Sequence, residues 1–389
     1  MKRNNRELKF LIQTILLILS IFCVAFVVYS RTEKIKGKTE AKQPNQPKSG
    51  PGGANYNHKN FSMYHYREGN EEYWLFEPAS PLPKTAPVIV FLHGWGGMEP
   101  RIYGAWIEHL VRRGNIVIYP RYQSNLRTRP SSMTPAAIGA VKDAFENLKQ
   151  EGHVKPKKGF FAAVGHSLGG VIAANIAARA KKEKLPGVNA IMALEPGDSK
   201  NPATEKAKRI KVEGILDDYS TIPSNTLLLT VIGADDRVAG DETAVKIFNG
   251  AKSVPIKNKA FITIYSDNHG TPPLVANHFF PVAPVDIATT EEEEIKGPVR
   301  KKIKEQIKKR IESRKEQGET DDRFKVDALD YHGSWRLFDA LTDCAFYKKN
   351  CDYALNDTQK MRFMGRWGDG APVKELSVTD KTKAKKSSQ

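Results

Sequence analysis

Short apolar runs alternate with helical patterns through the middle of the chain, from about residue 61 to residue 285. The runs predict strands at 86–92, 115–119, 159–164, 190–194, 226–232 and 260–265. The helical spacing predicts helices between several of them, at 102–113, 135–150 and 169–182. Strands that are almost continuously apolar are buried on both faces, which is typical of a parallel sheet covered by helices. The pattern therefore predicts an α/β fold with a mostly parallel central sheet and helices on both faces.

One strand-to-helix junction carries a serine between glycines, in the segment Gly165-His-Ser-Leu-Gly-Gly170. The pattern G-x-S-x-G alone is a weak signal, but here it joins a predicted strand to an Ala-rich helix. Glycines at such a junction permit a strained turn, which lifts the serine Oγ above the sheet. The N–H groups at the start of the helix would face an oxygen that gains negative charge. We therefore predict Ser167 as a nucleophile, and the alternative is an ordinary helix-capping serine.

A serine nucleophile needs a base and an acid that orients the base. For the acid, the predicted strand 226–232 is followed by Gly233-Ala-Asp-Asp-Arg-Val238. An acid after a late strand lies at the carboxyl edge of the sheet, where ligands bind in open α/β folds. We predict Asp236 in this role, with Asp235 as its immediate alternative and Asp198 as a more distant one.

Two histidines follow the predicted strand 260–265 and could serve as the base. His269 stands in the loop after this strand, 33 residues beyond Asp236. His278 is the alternative, but it lies in an apolar segment where a packed or surface histidine is the more common finding. We therefore predict His269 as the base.

Two further histidines flank the glycine-rich turns, but their positions in the chain make His93 and His166 poor candidates for the base. The order serine, acid, histidine is the one expected where a nucleophile elbow carries the serine. Such a triad moves protons and forms an acyl intermediate with its own side chains, so we expect no cofactor and no metal.

Four segments together resemble the α/β-hydrolase fold family, namely His93-Gly-Trp-Gly-Gly97, 165–170, 233–238 and Asn268-His-Gly270. The resemblance covers about residues 60–285 and is to the branch of chlorophyllase-like and polyester-hydrolase-like serine esterases. It implies a serine hydrolase of carboxylic esters whose oxyanion hole is formed by the backbone N–H groups of Trp95 and Leu168. The turn at 93–97 also follows the first strong core strand, although a plain strand-to-helix turn remains the alternative there.

The N-terminus carries a short basic segment and then an apolar run over residues 10–29. A helix of that length, at about 1.5 Å per residue, crosses a hydrocarbon core of about 30 Å. We predict a single membrane anchor within residues 1–30, with a cleaved signal peptide as the alternative. Basic residues flank both ends of the run, and we favour an orientation that leaves the remainder extracytoplasmic. Residues 31–60 are predicted to form a flexible basic linker.

The formal net charge of +17 is concentrated at the two ends of the chain. Residues 1–60 hold 11 lysines and arginines against 3 glutamates, and residues 374–389 hold 5 lysines against 2 acids. Basic tails account for most of the excess, so we predict no nucleic-acid partner. We expect 374–389 to be a disordered basic tail.

The remaining residues, 61–373, are predicted to form one α/β-hydrolase domain with a charged insertion at 286–322. We expect a basic surface helix in the insertion, and a lid or a membrane-contacting helix is the alternative. Three cysteines are too few for a disulfide scaffold, and their spacing offers no CxxC or Cys/His zinc site. Cys344 and Cys351 would be about 10 Å apart on one helix, too far to bond, but they could pair if 348–350 form a turn.

The sequence thus predicts a membrane-anchored serine hydrolase that acts on a small-molecule or lipid ester. An acyltransferase or thioesterase would use the same three residues, and a catalytically silent membrane-anchored binding protein is the alternative from another class. The acyl and alcohol groups of the substrate and the oligomeric state stay open.

Overall fold

The computed structural model of the protein describes residues 41–198, 215–285 and 324–379. The chain divides into two compact units, Met1–Lys42 and Gln43–Gln389, and only residues 41 and 42 of the first are described. The fold described below therefore belongs to the second unit.

Two sequence predictions fall on other parts of the chain. The predicted membrane segment at 10–29 and the charged insertion at 286–322 both lie outside the described residues. Among the helices of the described ranges, none combines the length and the apolar character that crossing a membrane requires.

One mixed sheet runs through the described residues. Its strands are β1 (Asn60–Tyr66), β2 (Glu72–Ala79), β3 (Thr85–Leu92), β4 (Ile116–Arg121), β5 (Lys155–His166), β6 (Ala190–Leu194), β7 (Leu227–Gly233), β8 (Lys259–Ile264) and β9 (Ser377–Val378). Their order across the sheet is β1-β2-β4-β3-β5-β6-β7-β8-β9. Strands β3 to β8 run parallel, whereas β1, β2 and β9 pair antiparallel at the edges. The prediction of a mostly parallel sheet is confirmed, with all six predicted strands in it.

Helices connect the parallel strands. The α-helices are α1 (Gly104–Arg112), α2 (Pro130–Asn147), α3 (Leu168–Arg179), α4 (Glu242–Gly250), α5 (Trp335–Tyr347) and α6 (Gln359–Arg362). Short 3₁₀ turns occupy Gly69–Glu71, Pro100–Tyr103, Tyr219–Thr221, Ile256–Asn258 and Cys351–Tyr353, and a π-helix, Asp330–Ser334, leads into α5. Helix α2 begins earlier than predicted because Pro130, rather than Pro135, takes the first helical position, where a missing N–H costs nothing.

Both faces of the sheet are covered, as the alternating side chains of β3 illustrate. Val88 and Leu92 belong to a buried cluster that includes residues of α2 and α3. Phe91 points to the opposite face, where its ring lies 5.2 Å from that of Trp106 in α1. Trp106 in turn lies 6.4 Å from Phe338 of α5, so α1 and α5 share this second face. The carboxyl ends of the parallel strands therefore meet at one open edge, which is where the candidate site lies.

Residues 43–59, predicted as part of a flexible linker, lie against the folded domain. The Gly52 N–H donates to Oδ2 of Asp339 in α5 over 2.7 Å, and the Tyr331 hydroxyl donates to the carbonyl oxygen of Pro44. The linker prediction is wrong for this segment, because its Pro- and Gly-rich backbone pairs with groups from the C-terminal helices.

In the C-terminal segment, the structure answers one question that the sequence left open and corrects one predicted boundary. Helix α5 is followed by a turn in which Lys348 and Asn350 are left-handed, with φ angles of 57° and 55°. This reversal brings the Cα atoms of Cys344 and Cys351 to 4.7 Å, and the two sulfurs are bonded. The pairing that the sequence left open is thus present. The predicted tail begins too early at 374, because β9 still joins the sheet, and residues 380–389 lie outside the described part.

Candidate active site

Ser167 lies on a sharp turn between β5 and α3. Its backbone angles, φ 56° and ψ −124°, are in a region that non-glycine residues rarely adopt, and such strain is typical of functional positions. The turn needs glycine on either side because the chain passes very close to itself. A Cβ on Gly165 would lie 2.1 Å from the carbonyl oxygen of Gly169, and one on Gly169 would lie 2.1 Å from that of Leu92. The predicted nucleophile elbow therefore has the geometry that lifts its serine hydroxyl above the sheet.

His278 is the histidine that stands beside this serine. Its Nε2 atom lies 3.0 Å from Ser167 Oγ, and its Nδ1 atom lies 2.8 Å from Asp236 Oδ2. A carboxylate only accepts, so Nδ1 carries the ring proton and Nε2 is left to accept the serine O–H. The three side chains form one hydrogen-bonded chain in the order acid, base, hydroxyl, which is the geometry of an activated nucleophile.

The carboxylate of Asp236 is buried and held on both oxygens. Oδ2 faces His278, while Oδ1 accepts from the N–H groups of Val238 and Ala239 over 2.8 and 2.9 Å. Burial by itself would raise the pKa of Asp236, but the hydrogen bond and charge of His278 and these N–H groups outweigh it. The net pKa of the carboxyl is below its ordinary value, so Asp236 is ionised at neutral pH.

The structure does not bring His269 to Ser167. Its Nε2 atom lies 2.7 Å from Oδ2 of Asp369, and both side chains are substantially exposed. Its backbone N–H donates to Asp267 Oδ1, which fixes the turn away from the serine. The prediction of His269 as the base is therefore wrong in geometry, and the alternative His278 takes the position.

One signal in the sequence could have favoured His278. His269 lies in a polar run rich in turn residues, Ser266-Asp-Asn-His-Gly-Thr-Pro-Pro273, which favours an exposed reversal of the chain. His278 lies in the apolar segment Leu274-Val-Ala-Asn-His-Phe-Phe280, which such a reversal would pack back against the domain. A histidine that pairs with a buried carboxylate is expected in the apolar segment, which packs against the domain.

The competing acids lie elsewhere. Asp235 accepts from the Ser266 hydroxyl over 2.5 Å and does not contact His278. Asp198 follows β6 and is buried, whereas the carboxylate that His278 Nδ1 bonds is that of Asp236. The choice of Asp236 over its alternatives therefore agrees with the geometry.

The loop His93-Gly-Trp-Gly-Gly97, which we call the oxyanion loop, lies next to the elbow. A Cβ on Gly94 would lie 3.2 Å from the Cβ of Ser167. Three of its glycine N–H groups have acceptors: Gly94 bonds the Tyr103 hydroxyl, Gly96 bonds Gln123 Oε1, and Gly97 bonds the Gly94 carbonyl.

Within the described residues, the N–H of Trp95 has no such acceptor. The N–H of Leu168 opens α3, where a helix supplies no acceptor of its own. These are the two N–H groups that the family resemblance names as donors. Their role as oxyanion donors stays a prediction.

His93 and His166 are buried beside the elbow rather than placed as bases. The Nδ1 of His93 lies 2.7 Å from the Gly94 carbonyl, and burial lowers the pKa of His93 to about 4. His166 has its nitrogens engaged with Tyr103 and with the backbone of His278. Neither ring contacts Ser167 Oγ through a hydrogen bond in the described structure.

A possible set of metal ligands overlaps the same site. Ligand atoms of His166, Glu195 and His278 lie within 4.8 Å of one another. Both ring nitrogens of His278 are already engaged, by Asp236 and by Ser167. His278 therefore has no free ring nitrogen to offer a metal ion.

Exposed apolar side chains surround the mouth of the site. Trp95 is 43% exposed on the oxyanion loop, and Leu126 is 62% exposed, with its Cδ2 3.3 Å from where a Cβ of Gly96 would be. On the other side, Val238 follows the acid and Phe279 follows the base, and they are 49% and 48% exposed. Large apolar groups are thus exposed on four loops that carry or adjoin the site residues.

The comparisons with known proteins agree with this architecture. A protein family described as alpha/beta hydrolase fold matches residues 89–246, which include Ser167 and Asp236. The chain therefore has an α/β-hydrolase fold, and the match supports a hydrolase of that fold. The finer resemblance to chlorophyllase-like and polyester-hydrolase-like esterases stays a prediction. No curated protein matches the sequence.

Proposed function

We propose that the protein is a serine hydrolase of carboxylic esters, with Ser167 as nucleophile, His278 as base and Asp236 as the acid that orients it. The observation that carries the proposal is the continuous hydrogen-bonded chain from Asp236 through His278 to Ser167. The strained conformation of Ser167 supports it, because strain of this kind is retained where it serves a reaction.

The proposed reaction uses these three side chains in turn. Ser167 Oγ attacks the ester carbonyl carbon while its proton passes to Nε2 of His278. The carbonyl oxygen becomes an oxyanion, which the N–H groups of Trp95 and Leu168 would stabilise. His278 then gives the proton to the leaving alcohol, and an acyl-enzyme remains on Ser167. A water, deprotonated by His278, releases the acid, so the scheme needs no cofactor or metal.

We further propose that the ester carries an apolar acyl or alcohol group. The exposed apolar side chains on the loops of the site support this preference. Trp95 carries one of the proposed oxyanion donors, and Phe279 directly follows the proposed base. Each Å² of apolar surface that such a group buries against these side chains contributes roughly 25 cal/mol to the free energy of binding. A lipid ester and a small aromatic ester both satisfy this description.

The N-terminal segment adds a proposal about location. The apolar run at 10–29 would anchor the chain in a membrane, with the hydrolase domain on the extracytoplasmic side. The bond between Cys344 and Cys351 supports that side, because disulfides persist in oxidising compartments.

The test uses the full-length chain, purified in dodecyl maltoside, on p-nitrophenyl esters with acyl chains of two to sixteen carbons. We expect turnover by the wild type and a loss of at least about 10⁴-fold in Ser167→Ala, as in other serine hydrolases that lose their nucleophile. Ser132→Ala is the matched control, because Ser132 is exposed on α2 and bonds only the nearby Arg129 carbonyl. Equal turnover by wild type and Ser167→Ala would refute the proposal.

A second readout separates hydrolysis from acyl transfer. With an added alcohol, a hydrolase releases mostly free acid, whereas a transferase forms mostly the new ester. A wild type that is folded but inactive on every ester would favour the binding-protein alternative.

A further inference from the structure

His166, the residue before the nucleophile, is buried between two loops that both reach the candidate site. Its Nε2 atom lies 2.7 Å from the backbone carbonyl oxygen of His278, and its Nδ1 atom lies 2.8 Å from the Tyr103 hydroxyl oxygen. That hydroxyl oxygen lies 3.0 Å from the backbone nitrogen of Gly94 in the oxyanion loop. The imidazole therefore stands between the loop of the base and the oxyanion loop.

The chemistry of the groups fixes the direction of each hydrogen bond. A carbonyl oxygen only accepts, so Nε2 of His166 carries the proton and donates to His278. In the neutral ring Nδ1 then accepts, and the Tyr103 O–H donates to it. The same hydroxyl oxygen accepts from the Gly94 N–H. All three bonds form together when His166 is neutral and protonated on Nε2.

The surroundings of His166 favour this neutral form. Burial, followed by the neighbouring His278, lowers the pKa of His166 to about 3. Glu195 Oε2 lies 3.4 Å from Nε2, but burial and the charge of Asp236 raise the pKa of Glu195 well above its ordinary value. A protonated Glu195 places no negative charge beside the ring. His166 therefore keeps one tautomer at neutral pH and does not compete with His278 for the serine proton.

We propose that His166 and Tyr103 are positioning residues. They hold the loop of the base and the oxyanion loop in their places next to Ser167. This inference rests on the proposed function. The carbonyl of His278 is bonded by His166, so loss of that bond frees the backbone that carries the base. Gly94 immediately precedes Trp95, so the Tyr103 hydroxyl orients the peptide chain that presents the donor. A misplacement of about 1 Å in such a site can cost about a hundredfold in rate.

Two substitutions cut the connection at opposite ends. Tyr103→Phe removes the hydroxyl and leaves the bond from His166 to His278 in place. His166→Asn keeps an oxygen that can accept from Tyr103, but its shorter side chain places no N–H at the position of Nε2, so the bond to the His278 carbonyl is lost. We expect each to lower kcat by about tenfold to a hundredfold, less than the 10²–10³ that loss of a whole oxyanion donor costs. We expect KM to change by no more than about twofold, because neither group reaches the substrate.

Tyr66→Phe is the matched control for Tyr103→Phe. The Tyr66 hydroxyl also bonds a histidine, His153, over 2.9 Å, but it lies on the edge strand β1 and far along the sheet from Ser167. All variants are assayed as full-length protein on the best p-nitrophenyl ester, alongside thermal unfolding and the rate at which a fluorophosphonate labels Ser167. A purely structural role would lower the unfolding temperature of Tyr103→Phe as in Tyr66→Phe and leave kcat and the labelling rate unchanged.

The outcomes distinguish this inference from the proposed function. Reduced kcat and slower labelling in Tyr103→Phe, with Tyr66→Phe at the wild-type rate, support the positioning role. Wild-type kcat in Tyr103→Phe overturns it while leaving the hydrolase proposal intact. If His166→Asn does not fold, Tyr103→Phe alone decides the question. A wild type that neither hydrolyses esters nor takes up the fluorophosphonate overturns both.

Discussion

His278 follows Ser167 by 111 residues, yet its Nε2 atom lies 3.0 Å from the serine Oγ. A reversal of the chain after β8 makes this approach possible, because Asp267 and Leu274 pair in an antiparallel bridge. The segment beyond Leu274 then returns to the carboxyl edge of the sheet. The histidine that contacts Ser167, and that we propose as the base, therefore comes from the returning part of the loop rather than from the residues next to the strand.

Substitution of the two histidines separates their roles. His278→Ala removes the group that takes the serine proton, and we expect kcat to fall by at least about 10⁴-fold. His269→Ala breaks only the exposed pair with Asp369, and an exposed pair contributes at most about 1 kcal/mol to stability. We therefore expect His269→Ala to keep wild-type kcat in the p-nitrophenyl ester assay. The opposite pattern would restore His269 as the base.

The parts of the site that could be predicted are those set by short-range sequence. The nucleophile elbow needs glycines at fixed offsets, so Ser167 is recognisable from six consecutive residues. Asp236 follows directly from the end of β7, where the strand leaves little freedom to the next three residues. His278 lies 14 residues beyond the end of β8, and its position depends on how the intervening loop folds. Closeness to the strand in the sequence therefore did not identify the histidine that contacts Ser167.

The fold, like the site, could be predicted from the sequence only where a local pattern determines it. Strands β3 to β8 are apolar on both faces and therefore stand out in the sequence, whereas β9 has two residues and pairs only at the edge. The packing of residues 43–59 uses contacts with parts of the chain that are distant in sequence, such as the hydrogen bond from Gly52 to Asp339 in α5. No local pattern reveals a partner that is 287 residues away.

Asp236→Asn tests the acid. The amide would donate to His278 and favour the proton on Nε2, so the imidazole could no longer accept the serine O–H. We expect kcat to fall on the order of 10⁴-fold with little change in KM. Asp235→Asn is the control one residue away, because Asp235 bonds Ser266 and not the histidine. A larger loss in Asp235→Asn than in Asp236→Asn would contradict the assignment.

Gly169→Ala tests the close packing beneath the elbow. Its methyl group would lie 2.1 Å from the carbonyl oxygen of Leu92, and a backbone atom cannot move aside as a flexible side chain can. We expect the free energy of unfolding to fall by at least about 3 kcal/mol in urea titrations, the upper part of the range for overpacking. Gly187→Ala has no atom within 4 Å of the added methyl group and should unfold at the wild-type urea concentration.

The bond between Cys344 and Cys351 closes a short loop at the end of α5. Closing a loop of this length restricts the unfolded chain and stabilises the fold by about 2–3 kcal/mol on the chain-entropy estimate. We expect Cys351→Ser to lower the unfolding temperature, and a reductant to lower that of the wild type but not that of the variant. If the reductant lowers both equally, the stabilising bond is not this one.

Asp330→Asn should change how stability depends on pH. Burial and the charge of Asp327 raise the pKa of Asp330 well above its ordinary value, and within the described structure its Oδ1 has no hydrogen-bond partner. The folded state thus keeps a proton that the unfolded state releases above about pH 4, so this group favours folding below that pH and loses its contribution as the pH rises. We expect the unfolding temperature of Asp330→Asn, relative to the wild type, to increase between pH 4 and pH 7. Glu146→Gln, an exposed change on α2, should show no such trend. A difference that shrinks with rising pH would mean that Asp330 is ionised in the fold.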